Sequence, residues 1–508
     1  MEQSEPRREG QGRKPEMNDR EKSHGLVVPA KLRNKAAKAA ADGVEGRSPT
    51  EENPNGQNAD RTQGRATGQN ALDRVRQAAR RDKRMKFTAL LHHLTKERLE
   101  GAYRRLKRDA APGVDGVSWG EYGEGLNEKL EDLLDRIHRG AYRAKPSRRT
   151  YIPKGDGGQR PLGITTIEDK IVQSAMAEVL NAIYEEDFFG FCYGFRVRKS
   201  QHHALDALAV AIMRKKVNWV LDADIRGFFD SISHEWMRKF IEHRIGDERV
   251  VRLIQKWLSA GVMEQGEWSR SESGTPQGAA ISPLLANVYL YHVLDKWVHA
   301  WRRREARGEV IIVRYADDFV MGFEHREDAE RFTAELGERL RKFDLELNAE
   351  KTRLIEFGRY AASRREGKPE TFTFLGFTHI CGTTRKGHFA LRRRTDPRRM
   401  RRKLHEVADE LKRRRHEPVP EQGRWLQSVI RGYYAYHAVP NNIDALEAFG
   451  KSVLRLWQQS LRRRSQNDRT TQERMQRLRA RWFPVPRIEH PWPDERFDVR
   501  IQGRNRMR

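Results

Sequence analysis

The sequence has little cysteine, no long apolar run and, over its first 86 residues, no aromatic residue. Its 508 residues include two cysteines, Cys192 and Cys381, which are too few for a disulfide framework or a four-cysteine zinc site. It contains no stretch of about 18 apolar residues that could span a membrane, and its polar N-terminus does not resemble a signal peptide. We therefore expect a cytoplasmic protein with no membrane partner.

Residues 1–70 are rich in Gly, Asn, Gln, Arg and Glu, and the first aromatic residue of the chain is Phe87. A segment of this composition cannot bury enough apolar surface to offset the entropy lost on ordering. The sequence therefore predicts a disordered polar segment over 1–70 and a folded part that begins at residue 71.

Positive charge dominates the composition. The chain has 99 Lys and Arg against 72 Asp and Glu, a net charge of +27 and a pI near 10.2. Such an excess favours a polyanionic partner, because each cation that neutralises a phosphate releases a counterion. Nucleic acid is the predicted partner class.

The apolar pattern predicts an α+β fold. Arg148 to Ile152 and Arg160 to Ile164 form a predicted hairpin around a glycine turn. The further predicted strands are Val217 to Ile225, Val310 to Arg314, Phe319 to Gly322, Leu345 to Leu347, and a hairpin from Thr371 to His379. Strand, helix, strand pair, helix, strand is the order of a ferredoxin-like sheet with helices on one face. Beyond Leu391 the pattern predicts a basic helical region, with helices from Pro397 to Arg415, Gln422 to Ala438 and Ile443 to Arg464.

Three aspartates stand at the ends of predicted strands: Asp224 after one strand, and Asp317 and Asp318 on the turn of a hairpin. Neighbouring carboxylates repel each other, and a bound cation relieves that repulsion. Oxygen donors suit Mg²⁺, with Mn²⁺ as an alternative, and two such ions can activate an attacking hydroxyl in phosphoryl transfer. Taken alone, the aspartate pair also fits a simple turn, since Asp is common in turns.

Tyr315, Ala316, Asp317 and Asp318 resemble the signature of reverse transcriptases, in the form typical of group II intron-encoded proteins. The resemblance extends over roughly Phe87 to Phe497 as a series of blocks in the family's order. These are YIPKGDGGQRPLGITT (151–166), FCYGFR (191–196), LDADIRGFFD (221–230), SGTPQGAAISP (273–283), LNAEKT (347–352), FLGF (374–377) and, in the maturase region, RGYYAYH (431–437). One departure is Thr165, where the family usually has a proline.

The resemblance assigns the nucleotide and metal sites. It implies that Asp224, Asp317, Asp318 and the backbone carbonyl of Ile225 hold the metal ions. It also implies a nucleotide-binding set whose members are Lys154 and Arg160 for the triphosphate, Phe229 for selection of the deoxyribose, Gln277 for the nascent base pair, and Lys351 near the aspartates. From the residues alone, the two hairpin cations equally fit solvated charges, Phe229 fits plain core, and Gln277 fits a polar residue at a helix entry.

Eight of the twelve residues from Arg392 to Lys403 are Lys or Arg, which predicts a helix that faces nucleic acid. The predicted RNA-binding residues of this segment are Arg392, Arg393, Arg394, Arg398, Arg399, Arg401 and Arg402. Tyr433 and Tyr436 are candidates for stacking on unpaired bases. Their helical spacing with Trp425, Leu426 and Ile430 favours packing in a core instead.

Together the residues and the resemblance predict a right-hand polymerase, with fingers and a ferredoxin-like palm, followed by a helical thumb or maturase bundle. The expected divisions are 1–70 disordered, 71–215 N-terminal extension and fingers, 216–390 palm, 391–465 thumb and maturase domain, and 466–508 a basic extension without an endonuclease domain.

The expected function is that of an RNA-directed DNA polymerase and maturase that assists splicing of its host group II intron and reverse-transcribes it. The implied partners are the intron RNA, an RNA template with a DNA primer or target DNA, and deoxynucleoside triphosphates, with a homodimer left open. Two alternatives remain: a stand-alone bacterial reverse transcriptase of a defence or diversity-generating system, and a splicing factor that only binds RNA.

Overall fold

The computed structural model describes residues 71–153, 158–361, 369–464 and 470–496. The predicted disordered segment and Lys154 lie outside these ranges. No helix within them is long and apolar enough to cross a membrane.

Helices make up most of the described chain. In order they are α1 (71–81), α2 (Lys96–Arg105), α3 (Trp119–Gly123), α4 (Leu126–His138), α5 (Ile167–Asp187), α6 (Gln201–Arg214), α7 (Phe228–Ser231), α8 (His234–Glu242), α9 (Glu248–Leu258), α10 (Ser282–Leu290), α11 (Lys296–Arg304), α12 (Arg326–Arg341), α13 (Pro397–Arg413), α14 (Val419–His437), α15 (Ile443–Arg462) and α16 (Gln472–Trp482). Polar caps mark several starts: Thr166 accepts from the amide of Asp169, and Ser200 forms a capping box with His203.

The strands form three sheets. In chain order they are β1 (Ser147–Pro153), β2 (Gln159–Ile164), β3 (Trp219–Ala223), β4 (Val262–Glu264), β5 (Glu267–Ser269), β6 (Val310–Tyr315), β7 (Asp318–Phe323), β8 (Arg353–Glu356), β9 (Phe372–Phe374), β10 (Phe377–Thr383) and β11 (Phe389–Thr395). The sheet orders are β2-β1-β4-β5, β6-β7-β3-β8 and β11-β10-β9.

The central sheet, β6-β7-β3-β8, is antiparallel throughout. Alternate residues enter two cores, as a period-2 strand requires. Leu221 and Met321 join the large core of the helices α8 to α12, whereas Val220 and Val320 join a second core with α6. Helices therefore cover both faces of this sheet, where the sequence pattern predicted one face only.

The fourth strand of the central sheet lies later in the chain than predicted. β8 pairs with β3, whereas the predicted strand Leu345 to Leu347 makes a single bridge, between Leu347 and Ile225. The amide of Leu345 donates to the carbonyl of Leu340 and so closes the end of α12. The side chain of Leu345 is buried in the large core, although the residue is not a member of the sheet.

The predicted hairpin of β1 and β2 is confirmed, with Arg148 opposite Ile164 and Pro153 opposite Gln159. β4 and β5 extend it into a four-stranded sheet through a parallel contact of β1 with β4. Neither of these short strands was predicted.

The prediction of helix directly after Leu391 is wrong, because β11 continues to Thr395. Along β11, Arg393 and Thr395 are buried while Arg392 and Arg394 are exposed, which is the alternation of a strand. The sequence from Arg392 to Thr395 was taken for part of a solvated helix because its inward-facing strand position is occupied by a charged residue, Arg393.

The helices α13 to α16 build a third core, which includes Leu426, Ile430, Phe449 and Trp457. The helices predicted from Gln422 and Ile443 are confirmed as α14 and α15. α16 packs against α14 so closely that a Cβ at Gly423 would lie within 2.6 Å of the Trp482 ring.

Candidate active site

The three aspartates meet at one end of the central sheet. Asp317 lies on the turn between β6 and β7, Asp318 begins β7, and Asp224 directly follows β3. β3 and β7 are antiparallel partners with Ala223 opposite Phe319, so the next position of β3 lies beside the start of β7. The pairing of β3 with β7 therefore brings Asp224 to the aspartate pair.

The electrostatics of these carboxylates confirm that they interact. The surrounding protein disfavours charge on Asp318 and, with repulsion from Asp317, Asp224 and Asp222, raises its pKa to about 7, while Arg160 opposes the shift. Burial likewise raises the pKa of Asp317, and the charge of Asp224 adds to the effect. Such mutual destabilisation of negative charge is what a bound cation would relieve.

Asp224 is held from the loop that precedes β8. Its Oδ2 accepts from Nδ2 of Asn348 at 3.0 Å and lies 3.6 Å from the ammonium of Lys351. Its carbonyl accepts from the amide of Asn348 at 2.8 Å. The structure thus brings Lys351 to the site as predicted. The role of Asn348, which lies in the same sequence block, was not predicted.

Three further predicted nucleotide residues lie on β2, on α7 and in the loop before α10. Arg160 is exposed on β2 and acts electrostatically on both hairpin aspartates. Phe229 is half-buried in α7, where its ring packs edge-on against Phe228. The carbonyl of Gln277 accepts from the amide of Gly163 at 2.7 Å, which fixes the loop before α10 against the β1–β2 hairpin. Lys154 cannot be placed, because it lies outside the described residues.

A cavity of about 560 Å³ lies beside Lys351, whose ammonium is 3.6 Å from Asp224. Its lining combines acidic, basic and hydroxyl side chains: Asp222, Glu350, Lys351, Arg353, Thr371, Thr373, Thr378, Asp396 and Arg398. The cavity is therefore shared by residues of the central sheet, β10 and α13.

The basic segment divides into exposed and buried residues. Arg392, Arg394, Arg398, Arg401 and Arg402 are exposed, and Arg399 is half-buried. Arg393 is not available to RNA, because it is 3% exposed and its Nη1 donates to Oδ1 of Asp206 at 2.8 Å. Its inclusion among the RNA-binding residues was wrong, since a cation this deeply buried must be paired.

The tyrosines of α14 pack inside the protein. Tyr433 is 7% exposed and its ring stacks on Phe449 with centroids 3.6 Å apart, so it cannot stack on a base. Tyr436 is half-buried, packs against Phe377 and donates its hydroxyl to the carbonyl of Leu375 at 2.7 Å. The alternative of packing in a core therefore holds for Tyr433 and accounts for the contacts of Tyr436.

The donor set fits a hard divalent cation in its chemistry. Three carboxylates that repel one another offer only oxygen, which Mg²⁺ and Mn²⁺ prefer. In the described ranges, no group of three or more His, Cys, Asp or Glu side chains is arranged so that these side chains alone could hold a metal ion. Ions held here would therefore take part of their coordination from water or substrate phosphates, as Mg²⁺ commonly does.

Comparison with known proteins finds a family model and several relatives that are similar to part of this chain. Residues 152–379 match the family model described as reverse transcriptase (RNA-dependent DNA polymerase). Protein YkfC of Escherichia coli is 35% identical over 239 residues, which are 41% of this chain and 62% of that protein. Group II intron-encoded protein LtrA of Lactococcus lactis is 36% identical over 215 residues, which are 42% of this chain and 35% of LtrA.

A more distant match is nuclear intron maturase 3, mitochondrial, of Arabidopsis thaliana. It is 25% identical over 142 residues, which are 28% of this chain and 19% of that protein. The chain therefore spans less than two thirds of the length of each of these three relatives.

Proposed function

We propose that the chain is an RNA-directed DNA polymerase and intron maturase, because residues 152–379 match the reverse transcriptase family model and the chain is similar to a group II intron-encoded protein. It assists splicing of its host group II intron and copies the intron RNA into DNA at a target site. The observation that carries this proposal is the meeting of Asp224, Asp317 and Asp318 at one sheet end, beside Arg160 and Lys351.

The architecture supports a right-hand polymerase. The central sheet is the palm, the β1–β2 hairpin with the helices α2 to α6 forms the fingers, and the helices α13 to α15 form the thumb and maturase bundle. In this arrangement the cavity between Lys351 and Arg398 lies between palm and thumb, where a template–primer duplex would pass.

In the proposed reaction the primer 3′-hydroxyl attacks the α-phosphate of a deoxynucleotide and pyrophosphate leaves. Asp224, Asp317, Asp318 and the carbonyl of Ile225 would hold two Mg²⁺, or Mn²⁺ in their place. Ions bound there would lower the pKa of the attacking hydroxyl and stabilise the leaving oxygen. Arg160, together with Lys154, binds the triphosphate, and the half-buried ring of Phe229 excludes a 2′-hydroxyl.

RNA binding belongs to the exposed cations. Arg392, Arg394, Arg398, Arg401 and Arg402 supply positive charge along β11 and α13 that can neutralise phosphates. We place the protein in the bacterial cytoplasm, in part with the nucleoid, and as a monomer or homodimer on the RNA.

The polymerase proposal is tested by Asp317→Ala, assayed by primer extension on an RNA template. We expect a rate at least about 1,000-fold lower, because several kcal/mol of metal-dependent stabilisation are lost, and unchanged RNA affinity. Asp230→Ala is the control, since Asp230 is an exposed aspartate at the far end of the sequence block that carries Asp224. Extension by Asp317→Ala at the wild-type rate would contradict the assignment of the aspartates to metal binding.

The maturase proposal is tested by expressing the protein from its native locus and sequencing the RNA that copurifies with it. We expect one dominant excised lariat that contains the reading frame of this protein. A diverse mixture of RNAs, with polymerase activity retained, would identify a stand-alone reverse transcriptase. A single intron RNA with no polymerase activity would identify a splicing factor.

A further inference from the structure

A fully buried ion pair lies behind the turn that carries the two hairpin aspartates. Arg314, on β6, donates from Nε to Oδ1 of Asp295 at 2.8 Å and from Nη2 to Oδ2 at 2.6 Å. Both side chains are 0% exposed. Burial alone would lower the pKa of Arg314, but the carboxylate of Asp295 more than offsets this and raises it. The arginine is therefore charged at every pH at which the protein functions.

The remaining donors of Arg314 reach the turn itself. Nη1 donates to the carbonyl of Ala316 at 2.7 Å and to Oδ1 of Asn287 at 3.0 Å, and Nη2 lies 2.9 Å from Sγ of Cys192. Ala316 has a φ of 56°, in the left-handed region that costs a residue with a Cβ about 1–2 kcal/mol. The charged hydrogen bond to its carbonyl helps to hold this unfavourable conformation.

The segment around Cys192 closes the same turn from the other side. A Cβ on Gly194 would lie 2.1 Å from the amide nitrogen of Ala316, so this position has room only for glycine. The carbonyl of Gly194 accepts from Nδ2 of Asn287 at 2.8 Å. Arg314, Asn287 and Gly194 thus form one connected support beneath Ala316, the residue that precedes Asp317.

Asp295 reaches Arg314 from a π-helical turn, Tyr291–Asp295, that interrupts the otherwise continuous helix from α10 to α11. Turns of this kind are rare and occur frequently at functional sites. A buried ion pair adds little to stability compared with apolar residues of the same volume, because both charges must be desolvated. The presence of this ion pair directly behind the aspartate turn therefore indicates a role beyond stability.

We infer that Arg314 is a positioning residue for the metal-binding aspartates. It touches neither substrate nor metal. Its guanidinium fork, fixed by Asp295, holds the carbonyl of Ala316 and thereby sets the directions of the Asp317 and Asp318 carboxylates. The inference rests on the proposed polymerase function, because it assigns those carboxylates to metal binding.

The test compares Arg314→Lys with a matched control, Arg244→Lys. Lysine keeps the charge but has no fork with which to bind Asp295 and Ala316 together. Arg244 forms an equally buried pair with Asp187, at 2.8 Å and with 2% and 3% exposure, but its guanidinium holds the carbonyls of Asp82 and Met85. Both substitutions disturb a buried Arg–Asp pair, and only one of them lies behind the aspartate turn.

Four quantities are measured on the full-length protein: Mn²⁺ affinity without substrate by electron paramagnetic resonance, the Mg²⁺ concentration for half-maximal primer extension, the RNA affinity and the thermal midpoint. For Arg314→Lys we expect about tenfold weaker Mn²⁺ binding, about tenfold higher Mg²⁺ demand, and unchanged RNA affinity. For Arg244→Lys we expect a lower thermal midpoint with unchanged metal dependence. Equal metal dependence in wild type and Arg314→Lys would overturn the inference and leave a purely structural ion pair.

If Arg314→Lys does not fold, the same measurements on Asn287→Ala test the inference instead. It removes one acceptor of Arg314 and the donor to Gly194, and we expect about threefold weaker Mn²⁺ binding. Unchanged Mn²⁺ binding in this variant would again reject the inference. A wild-type protein that extends no primer would contradict the proposed function itself, whereas an active wild type with metal-insensitive variants contradicts only the role of Arg314.

Discussion

The ammonium of Lys351 lies 3.6 Å from Oδ2 of Asp224, the same oxygen that accepts from Asn348 at 3.0 Å. A cation at this position stabilises negative charge at the mouth of the site. When substrate phosphates are present, the ammonium of Lys351 can interact with them as well as with the carboxylate of Asp224. The loop before β8 thus contributes side chains to the aspartate site that lies at the ends of β3 and β7.

Lys351→Ala is expected to lower kcat/KM for deoxynucleotide incorporation about tenfold, because a charge contact of about 4 Å near a protein surface contributes on the order of 1 kcal/mol or more. Single-nucleotide incorporation kinetics measure it. Lys239→Ala is the control, since Lys239 is an exposed lysine paired with Glu235 on α8. Equal kinetics for both variants would mean that Lys351 is a surface charge without a role.

Phe229→Ala is expected to admit ribonucleotides, with the preference for deoxynucleotides falling at least about tenfold. The reason is that, in the proposed nucleotide site, the half-buried ring of Phe229 would be the steric block to a 2′-hydroxyl. Competitive incorporation of the two sugar forms measures the change. Phe228→Leu, at the buried neighbour, should lower stability and leave sugar discrimination intact. Unchanged discrimination in Phe229→Ala would show that this ring is only core.

Substitution of the buried arginine of the basic segment is expected to change stability, whereas substitution of the exposed arginines is expected to change RNA affinity. Arg393→Ala should lower the free energy of unfolding by about 3 kcal/mol, because Asp206 is left buried with one partner fewer. The triple variant of Arg398, Arg401 and Arg402 to Ala should keep its stability and reduce the slope of log affinity for RNA against log salt by about 2–3. Chemical unfolding and salt-dependent binding assays separate the two. Weaker RNA binding by Arg393→Ala at unchanged stability would contradict this division.

Stability should fall in acid because of buried histidines such as His379. Burial lowers the pKa of His379 to about 3, the nearby Arg393 adds to this, and the ring stacks on Phe372. The unfolded chain takes up a proton below its ordinary pKa of about 6.5 and the folded protein does not. His379 therefore contributes stability that is complete above pH 6.5 and about 3 kcal/mol smaller at pH 4.

His379→Phe should remove this contribution, so that the dependence of the free energy of unfolding on pH between about 4 and 6 decreases by roughly one proton. Urea unfolding at several pH values measures it. Phe372→Leu changes the same stack without removing a titrating group, and its pH dependence should match that of the wild type. A slope that does not change in His379→Phe would mean that the ring is already protonated in the folded state.

The sequence was most informative where local pattern and chemistry agree. The hairpin of β1 and β2, the strand before Asp224 and the aspartate turn were predicted because short β-rich segments end at polar turn residues in each case. The approach of Lys351 to Asp224 came from the family resemblance and is confirmed by the structure.

What the sequence concealed depends on pairing between distant segments. Arg393 is buried because Asp206, 187 positions earlier, accepts its charge, and no local pattern reveals that partner. The same holds for Tyr433, which is stacked on Phe449, and for Arg314, which is paired with Asp295. In both cases the partner is distant in sequence. An arginine within the apolar run of β6 was a usable signal, because a cation there must be paired.

The buried carboxylate of Asp206 binds Arg393 of β11 and also Arg496, which follows α16. It thus ties together three stretches of chain that are far apart in sequence. Recombination between relatives that exchanged the C-terminal helices as a cassette would separate these partners. A working chimera must therefore inherit α6, β11 and the segment after α16 from the same parent, so these three stretches are expected to be exchanged only as a set.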